Sequence, residues 1–321
     1  DWENLVNTHC KLLMVPTNLN ESNKGVDSLL ACLERIENYG FSRRNDILLA
    51  IGGGTLMDLI SLAANLYRRG IAVYKVPTTL LGFVDASVGI KTGINFLSQR
   101  NRLGTYYLNY NVIYDCSLLT SLSMDLIREG LGEIFKIALI KSSELFLLLE
   151  LNENQIKKPE FYLTNQGKKI ISISIQLMLE ELHDNPNESN LKRCVDFGHS
   201  FSPLLEMESI KNKNIDSIPH GLAVGADSVI TSIIAFNRKL IDKSVLKRIF
   251  KLATLIDFLA GHELYKKDEI MWSSMMEMTV HRNGSQNLPV PISIGSYTFL
   301  QDLTYDEMRK ATKVFRESLV V

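Results

Sequence analysis

Two rhythms of apolar residues divide the chain. In the first third, short apolar runs alternate with segments of helical spacing. Lys11–Val15 ends at Pro16 and reads as a strand. Val26, Leu29, Leu30, Leu33 and Ile36 repeat at the spacing of one helix face. Ile47–Ile51 is a continuous apolar run, as suits a buried parallel strand, and it leads straight into Gly52-Gly53-Gly54. From Thr55 to Arg68, the residues Leu56, Leu59, Ile60 and Ala63 fall at i, i+3, i+4 and i+7, which predicts a helix. Ile71–Val76, stopped by Pro77, and Val112–Tyr114 read as further strands. Such alternation predicts a parallel sheet with helices on its faces.

The rhythm changes after Asp115. Met124–Leu149, Lys168–Leu182, Ala223–Arg238 and Lys243–Leu259 are long and helical in period. Polar breaks at Asn152–Pro159, Asp184–Asn190 and Lys211–Ser217 read as loops. The pattern therefore predicts an α/β domain over residues 1–115 and an α-helical domain over 116–321. No internal repeat or low-complexity tract interrupts it.

Composition narrows the classes. The 321 residues are 45% hydrophobic and 22% charged, ordinary for a globular protein of one large or two smaller domains. Lys+Arg 35 against Asp+Glu 36 leaves a net charge of −1, so no basic field invites nucleic acid. No run approaches the ~18–20 apolar residues of a membrane span. Cys10, Cys32, Cys116 and Cys194 lie far apart with no CxxC pair, and read as reduced thiols of a cytoplasmic protein. The first residue is Asp1, as expected of a chain given without its natural start.

Three places carry chemistry. A strand ending in Gly52-Gly53-Gly54 before a helix suits a pyrophosphate, because glycines permit close approach and the helix start offers free N–H groups. It is not the GxGxxG fingerprint, which argues against an ordinary Rossmann dehydrogenase. Asp58 sits one turn into that helix, and Thr78-Thr79 follow the next strand, where α/β sheets hold ligands. The second place is the stretch Val84–Asn95, where Asp85, Ser87, Lys91 and Asn95 interleave with apolar residues and Arg100, Asn101 and Arg102 follow. It reads as a loop forming an anion pocket. The third is a dispersed set. Glu133 lies in an apolar helix where an unpaired carboxylate is costly, and His199 and His220 each stand before a helical run. One Glu and two His suit a catalytic divalent cation, although no short HxxxH signature joins them.

The strings GGGTLMDL, YRRG, VPTTLLGFVDASVGIKTGIN, RNRLG, GEIFK, VDFGHSFSP, PHGLAVGAD and HRNG occur in order from Glu21 to about Leu303. In this order they resemble the sugar phosphate cyclases, the family of 3-dehydroquinate synthase. The resemblance implies a dinucleotide-binding α/β domain followed by an all-α metal-binding domain, assembled as a homodimer. It implies NAD on Gly53, Gly54, Asp58, Thr78 and Thr79, with Glu21 and Lys24 on the adenosine side. It makes Glu133, His199 and His220 ligands of Zn or Co. Asp85, Lys91, Asn101 and Lys136 match residues that contact the sugar phosphate, and Arg100 takes the place of a family lysine. Arg69 matches an arginine that reaches the neighbouring subunit's site, and Arg282 matches a C-terminal basic residue.

Departures from the family pattern point to one branch. Where 3-dehydroquinate synthase reads R-x-x-L-N-F-G-H-T-x-G-H, this chain has Lys192 for the Arg, Asp196 for the Asn and Pro203 for the second His. Counting back the same interval, a lysine that grips the substrate carboxylate becomes Met178. A carboxylate site needs a paired cation, often a bidentate Arg. The expected substrate therefore lacks one, which resembles the 2-epi-5-epi-valiolone synthase branch acting on sedoheptulose 7-phosphate. That reaction would proceed through transient NAD-dependent oxidation, β-elimination of phosphate, reduction and intramolecular aldol closure. Asp196 would serve in catalysis and Lys192 in substrate binding, although an Asp there also suits a helix N-cap. The neighbouring readings are 3-dehydroquinate synthase, desmethyl-4-deoxygadusol synthase and 2-epi-valiolone synthase. From another class come a metal-dependent polyol dehydrogenase and a non-catalytic or truncated relative, because the first strand of a full dinucleotide domain is not seen before Lys11.

Overall fold

A computed structural model describes residues 12–318 except 98, 109, 110, 213 and 260. Lys11, with His9 and Cys10, lies outside the described residues. Residues 12–20 form no strand, so the apolar run before Pro16 does not enter the sheet.

The α/β alternation is present. Helix α1 (Val26–Asn38) precedes strand β1 (Leu48–Gly52), helix α2 (Gly54–Leu66) and strand β2 (Val73–Pro77). The helix expected to reach Arg68 ends at Leu66, because Arg68 and Arg69 take left-handed φ values of 47° and 64°. With the short β5 (Asn111–Val112), β1 and β2 make a parallel sheet in the order β1-β2-β5. Gly52 pairs with Pro77, so the Gly52–Gly54 turn and Thr78-Thr79 emerge side by side at the carboxyl end of the sheet. Between β2 and β5, Gly82–Ala86 winds as a π-turn. Strands β3 (Lys91–Phe96) and β4 (Gln99–Tyr106) then form an antiparallel hairpin. The expected loop over Val84–Asn95 is thus a turn that carries Asp85 and a strand that carries Lys91 and Asn95 on one face.

The rest is mainly helical. The apolar stretch read as one helix is two, α3 (Met124–Lys141) and α4 (Ser143–Leu151). Ser142 is extended, and its hydroxyl caps α4 at Leu145 N. Then come α5 (Asn165–Asp184), α6 (Ser202–Lys211), α7 (His220–Asn237), α8 (Lys243–Ile256), α9 (Asp268–His281) and α10 (Tyr305–Ser318). Sequence periodicity missed α9, α10 and the hairpin of β6 (Leu288–Ser293) and β7 (Ser296–Leu300). Two prolines in β6 hid its strand character, and its buried residues pack on α3 and α7.

Packing is uneven. One large apolar core joins α3 through α10, including Ile134, Phe135, Phe258 and Phe315. A smaller core lies between α1, α2 and β2, around Leu59, Leu62, Ala63 and Val73. Helices α3 and α7 approach most closely at Gly132 and Gly221. A Cβ on Gly132 would overlap the backbone of Gly221, and one on Gly221 would overlap that of Glu129. These two glycines bring the neighbouring residues Glu133 and His220 together.

Candidate active site and metal centre

A cleft of about 1370 Å³ opens between the sheet end and the helices. Its wall includes Glu21, Lys24, Gly53, Gly54, Asp58, Thr79, Asp85, Lys91, Asn101, Lys136, Asp196, His199, His220 and Arg282. Residues separated by nearly the whole chain meet there.

At the helical end, Glu133 is buried on α3. Its Oε2 pairs with Lys136 Nζ at 2.6 Å, one turn along the same face. Its Oε1 has no hydrogen-bond partner, although it lies 3.5 Å from His199 Nε2 and 3.4 Å from His220 Nε2. Burial raises the Glu133 carboxyl, but the Lys136 ammonium and the two imidazoles outweigh it and hold the group below the usual range.

The two histidines are aimed by their other nitrogens. His199 sits after Gly198, whose φ of +78° and tight contact with Val224 and Ser228 suit glycine alone. His199 Nδ1 faces the Phe197 carbonyl oxygen at 3.2 Å. A carbonyl only accepts, so Nδ1 carries the proton and Nε2 the lone pair. The turn is fixed by Asp227 of α7, whose Oδ2 accepts from the backbone N–H groups of Ser200, Phe201 and Ser202 at 2.6–2.9 Å. Asp227, not Asp196, therefore supplies the cap at the start of α6. His220 opens α7, and its Nδ1 faces the Glu206 carboxylate at 3.0 Å. Burial pulls the His220 imidazole down, yet Glu206 and then Glu133, against Arg100, push it up to about 10. Burial leads the causes that hold His199 well below its ordinary value.

This donor set fits a divalent cation. Three groups able to donate electron pairs converge, one of them an orphaned buried oxygen, and a cation bound there would displace the proton that Glu133 and Glu206 favour on His220. Arms of ~2.0–2.2 Å at tetrahedral angles would set ligand atoms about 3.3–3.6 Å apart, which brackets both Glu133–imidazole separations. Each imidazole also has an outer partner on Nδ1, the arrangement expected of metal-bound histidine.

The sheet end fits a dinucleotide. Gly53 precedes α2 with no side-chain cap, so the first N–H groups of the helix have no side-chain acceptor. A Cβ on Gly53 would press on Thr79 Cγ2 at 3.3 Å, and one on Gly54 on Ala86 Cβ at 3.2 Å. Buried Lys24 joins Asp58 Oδ2 at 2.5 Å to Asn101 Oδ1 at 2.7 Å. Thr78 is not in the cleft wall, and its N–H bonds back to the Gly52 carbonyl at 2.8 Å.

Between these ends, the cations are shared among carboxylates. Glu188 Oε1 pairs with Lys91 at 2.5 Å and Arg193 at 2.8 Å. Asp196 pairs with Arg193 at 3.3 Å and Arg282 at 3.2 Å. Arg282 also donates to the Gln286 carbonyl, leaving its Nη2 buried without a partner. Burial pushes the Asp85 carboxyl up, with Glu133 adding to the shift.

Two expected substrate residues stand elsewhere, and a third is in the cleft but committed to carboxylates. Lys192 is exposed, with its ammonium 5.1 Å over the Phe299 ring, and the neighbouring Arg193 lines the cleft instead. Arg69 is exposed and outside this chain's cleft wall. Arg100 lines the cleft, but its Nε and Nη1 face Glu21 and Glu206. The sequence reading also missed Glu206, Glu188, Asp227 and Lys75. Lys75 left a signal, a charge inside an apolar strand run. It is buried on β2, donates to the Ala86 carbonyl at 3.1 Å, and burial pulls its ammonium down to about 8. Asp227 left one too, a carboxylate inside the apolar run of α7, whereas Glu206 and Glu188 sit in mixed or polar contexts and left none.

Two family models match the chain, 3-dehydroquinate synthase N-terminal over residues 14–129 and 3-dehydroquinate synthase C-terminal over 130–278. A 2-epi-5-epi-valiolone synthase of an Actinomyces species is 37% identical over 98% of this chain and 82% of its own length. Another from Streptomyces albus is 37% identical over 96% of this chain and 74% of its own. The structure of the Streptomyces hygroscopicus subsp. jinggangensis 2-epi-5-epi-valiolone synthase, with NAD+ and Zn2+ bound, superposes with a TM-score of 0.88 at 35% identity. That match covers 94% of this chain and 82% of that one.

Proposed function

The chain belongs to the 3-dehydroquinate synthase family, and we propose that within it the chain converts sedoheptulose 7-phosphate into 2-epi-5-epi-valiolone and inorganic phosphate. Substrate equals product plus phosphoric acid, so the reaction needs no net oxidant. The observation that carries this reading is the cleft wall at Met178 and Pro203. Carboxylate-gripping relatives carry a lysine and a histidine at these positions, and the family's arginine is here Lys192, turned onto Phe299. A substrate carboxylate would find no paired cation at these three positions.

Gly53, Gly54, Asp58 and Thr79, with Glu21 and Lys24, would hold NAD, and Glu133, His199 and His220 would hold zinc or cobalt. When bound, the dinucleotide supplies reversible hydride acceptance and the cation supplies Lewis acidity at the reacting oxygen. The protein's own part is placement and proton control in the cleft. Lys136 holds the Glu133 carboxylate in place beside the other metal ligands. Asp85, whose carboxyl is pushed up by burial, suits holding a proton at a substrate hydroxyl. Lys91 and Asn101, with Arg193 and Arg282 nearby, would hold the departing phosphate. Asp196 braces both arginines.

We further read the enzyme as a cytoplasmic homodimer, with the exposed Arg69 completing the neighbouring site. Among the described residues no helix is long and apolar enough to cross a membrane. The test is incubation with sedoheptulose 7-phosphate and, separately, with the shikimate-pathway heptulosonate. Phosphate and 2-epi-5-epi-valiolone from the first alone are expected. Turnover of the heptulosonate, a different cyclic product, or net NADH without phosphate would replace this reading with 3-dehydroquinate synthase, another cyclase branch or a polyol dehydrogenase respectively.

A further inference from the structure

The support behind His220 is charged, whereas that behind His199 is a backbone carbonyl. Glu206 lies on α6 and is buried, 3% exposed. Its Oε2 takes both His220 Nδ1, at 3.0 Å, and Arg100 Nη1. Arg100 comes from β4, and its Nε turns to Glu21 Oε1 at 3.3 Å. Glu21 accepts in turn from Asn95 Nδ2 at 3.0 Å and from Thr55 Oγ1 at 3.4 Å, on the first turn of α2. One line of polar contacts therefore runs from the glycine turn, through two carboxylates and a guanidinium, to the imidazole beside Glu133.

We infer that Glu206 is a positioning residue for the metal centre, and that Arg100 serves this support in place of gripping the sugar phosphate. The inference rests on the reading of Glu133, His199 and His220 as metal ligands. A carboxylate that accepts from Nδ1–H fixes the tautomer, orients the ring and makes Nε2 a better donor. A buried carboxylate needs its own cation, and Arg100 is placed to be it. Arg100 in turn has its Nε and Nη1 committed to the two acids, which takes away the paired edge that a bidentate grip on a phosphate needs and leaves Nη2 alone. Lys in its place, a point charge without a fork, would hold one of the two carboxylates at a time.

The experiment measures zinc affinity of the metal-free protein by chelator competition, alongside its melting temperature and the visible spectrum of the cobalt-loaded form. Glu206→Ala should weaken zinc binding about 10–100-fold. Glu206→Gln, which keeps an oxygen facing Nδ1, should fall between it and wild type and shift the cobalt spectrum. Arg100→Met should weaken zinc by more than it raises the KM for sedoheptulose 7-phosphate, and Arg100→Lys should recover part of the loss. If Glu206→Ala does not fold, Glu206→Gln and Arg100→Lys carry the test. Zinc affinity and cobalt spectrum unchanged in the Glu206 variants, with only the melting temperature lowered, would make Glu206 a structural ion pair and overturn the inference. A larger change in KM than in zinc affinity for Arg100→Met would return Arg100 to the substrate. Failure of the wild type to bind zinc or cobalt would instead remove the metal reading itself.

Discussion

The two ends of the cleft are held in different ways. At the helical end the metal-site groups are held mainly by side chains in or beside a large core, from Lys136 on Glu133 and Glu206 on His220 to Asp227 under the His199 turn. At the sheet end the pyrophosphate cradle is backbone, namely a glycine turn and an uncapped helix start, flanked by the Lys24–Asp58 pair and set on a three-stranded sheet whose edge strand leaves Leu49 and Ile51 exposed. Converging lone pairs cost free energy to assemble, so they need an over-determined frame. A pyrophosphate needs only N–H groups and room. Damage at one end should therefore leave the other working, and the largest effect belongs to the metal ligands. Glu133→Gln or His199→Ala should lower kcat/KM by about 1,000-fold or more, about 4 kcal/mol. Zinc content should fall with it, while NAD binding by calorimetric titration stays near wild type. Loss of NAD binding in the same variants would merge the two ends into one cooperative unit.

The helix contact at Gly132 and Gly221 sharpens the contrast. Gly221→Ala would drive a methyl group into the Glu129 backbone, which cannot rotate away as a side chain would. Overpacking of this kind should cost about 3 kcal/mol and part Glu133 from His220. Denaturant unfolding and zinc affinity should both report it. A melting curve like that of wild type would mean that α3 and α7 can slide apart freely.

What the sequence made legible follows the same division. The glycine turn and its flanking strands were readable because backbone chemistry is local, with a strand, three glycines and a helix all inside Ile47–Arg68. Glu133 was readable as a carboxylate out of place in an apolar helix. His199 and His220 were joined to it through the order of many motifs, since no spacing brings residues 66 and 87 positions away onto one point. Their supports divide. Glu206 is an acid on a mixed helix, where acids are common, and only the packing of α6 against α7 turns it inward, whereas Asp227 stands in an apolar run as Glu133 does and its partner, the backbone of the His199 turn, is what the sequence leaves unstated. Lys192 misled because family position names the residue at a register, whereas burial decides which of Lys192 and Arg193 faces the cleft.

A smaller change tests the sheet end. Gly54→Val places a branched side chain at the start of α2, where even a Cβ comes within 3.2 Å of Ala86. Such a side chain narrows the path to the N–H groups of the helix start. The dissociation constant for NAD should rise about tenfold, near 1.4 kcal/mol, with zinc affinity unchanged. An unchanged NAD affinity would move the dinucleotide away from the glycine turn.

The smallest effect comes from an ion pair remote from both ends, and serves as their control. Glu307, at the first turn of α10, takes Arg238 Nε on Oε1 at 2.8 Å and Nη2 on Oε2 at 2.9 Å, tying α10 to the end of α7. The same carboxylate closes a capping box with Thr304, whose N–H and hydroxyl both reach Oε2 at 3.0 Å. These bonds, led by Arg238, hold its pKa at about 2, below an unfolded value near 4.5. Its folded pKa is depressed, so the stabilisation is fully present above pH 4.5 and is lost as pH falls from 4.5 towards 2. Solvent screens the pair, and its worth at neutral pH should be no more than about 1 kcal/mol. Glu307→Gln keeps an oxygen for the Thr304 cap and removes only the charge. Unfolding by urea should show the variant less stable than wild type by that small amount at pH 7, with the gap narrowing as the pH is lowered through 4. A gap that widens in acid would reverse the sign of the linkage, and a variant that also lost zinc or NAD would show that α10 is wired to the cleft after all.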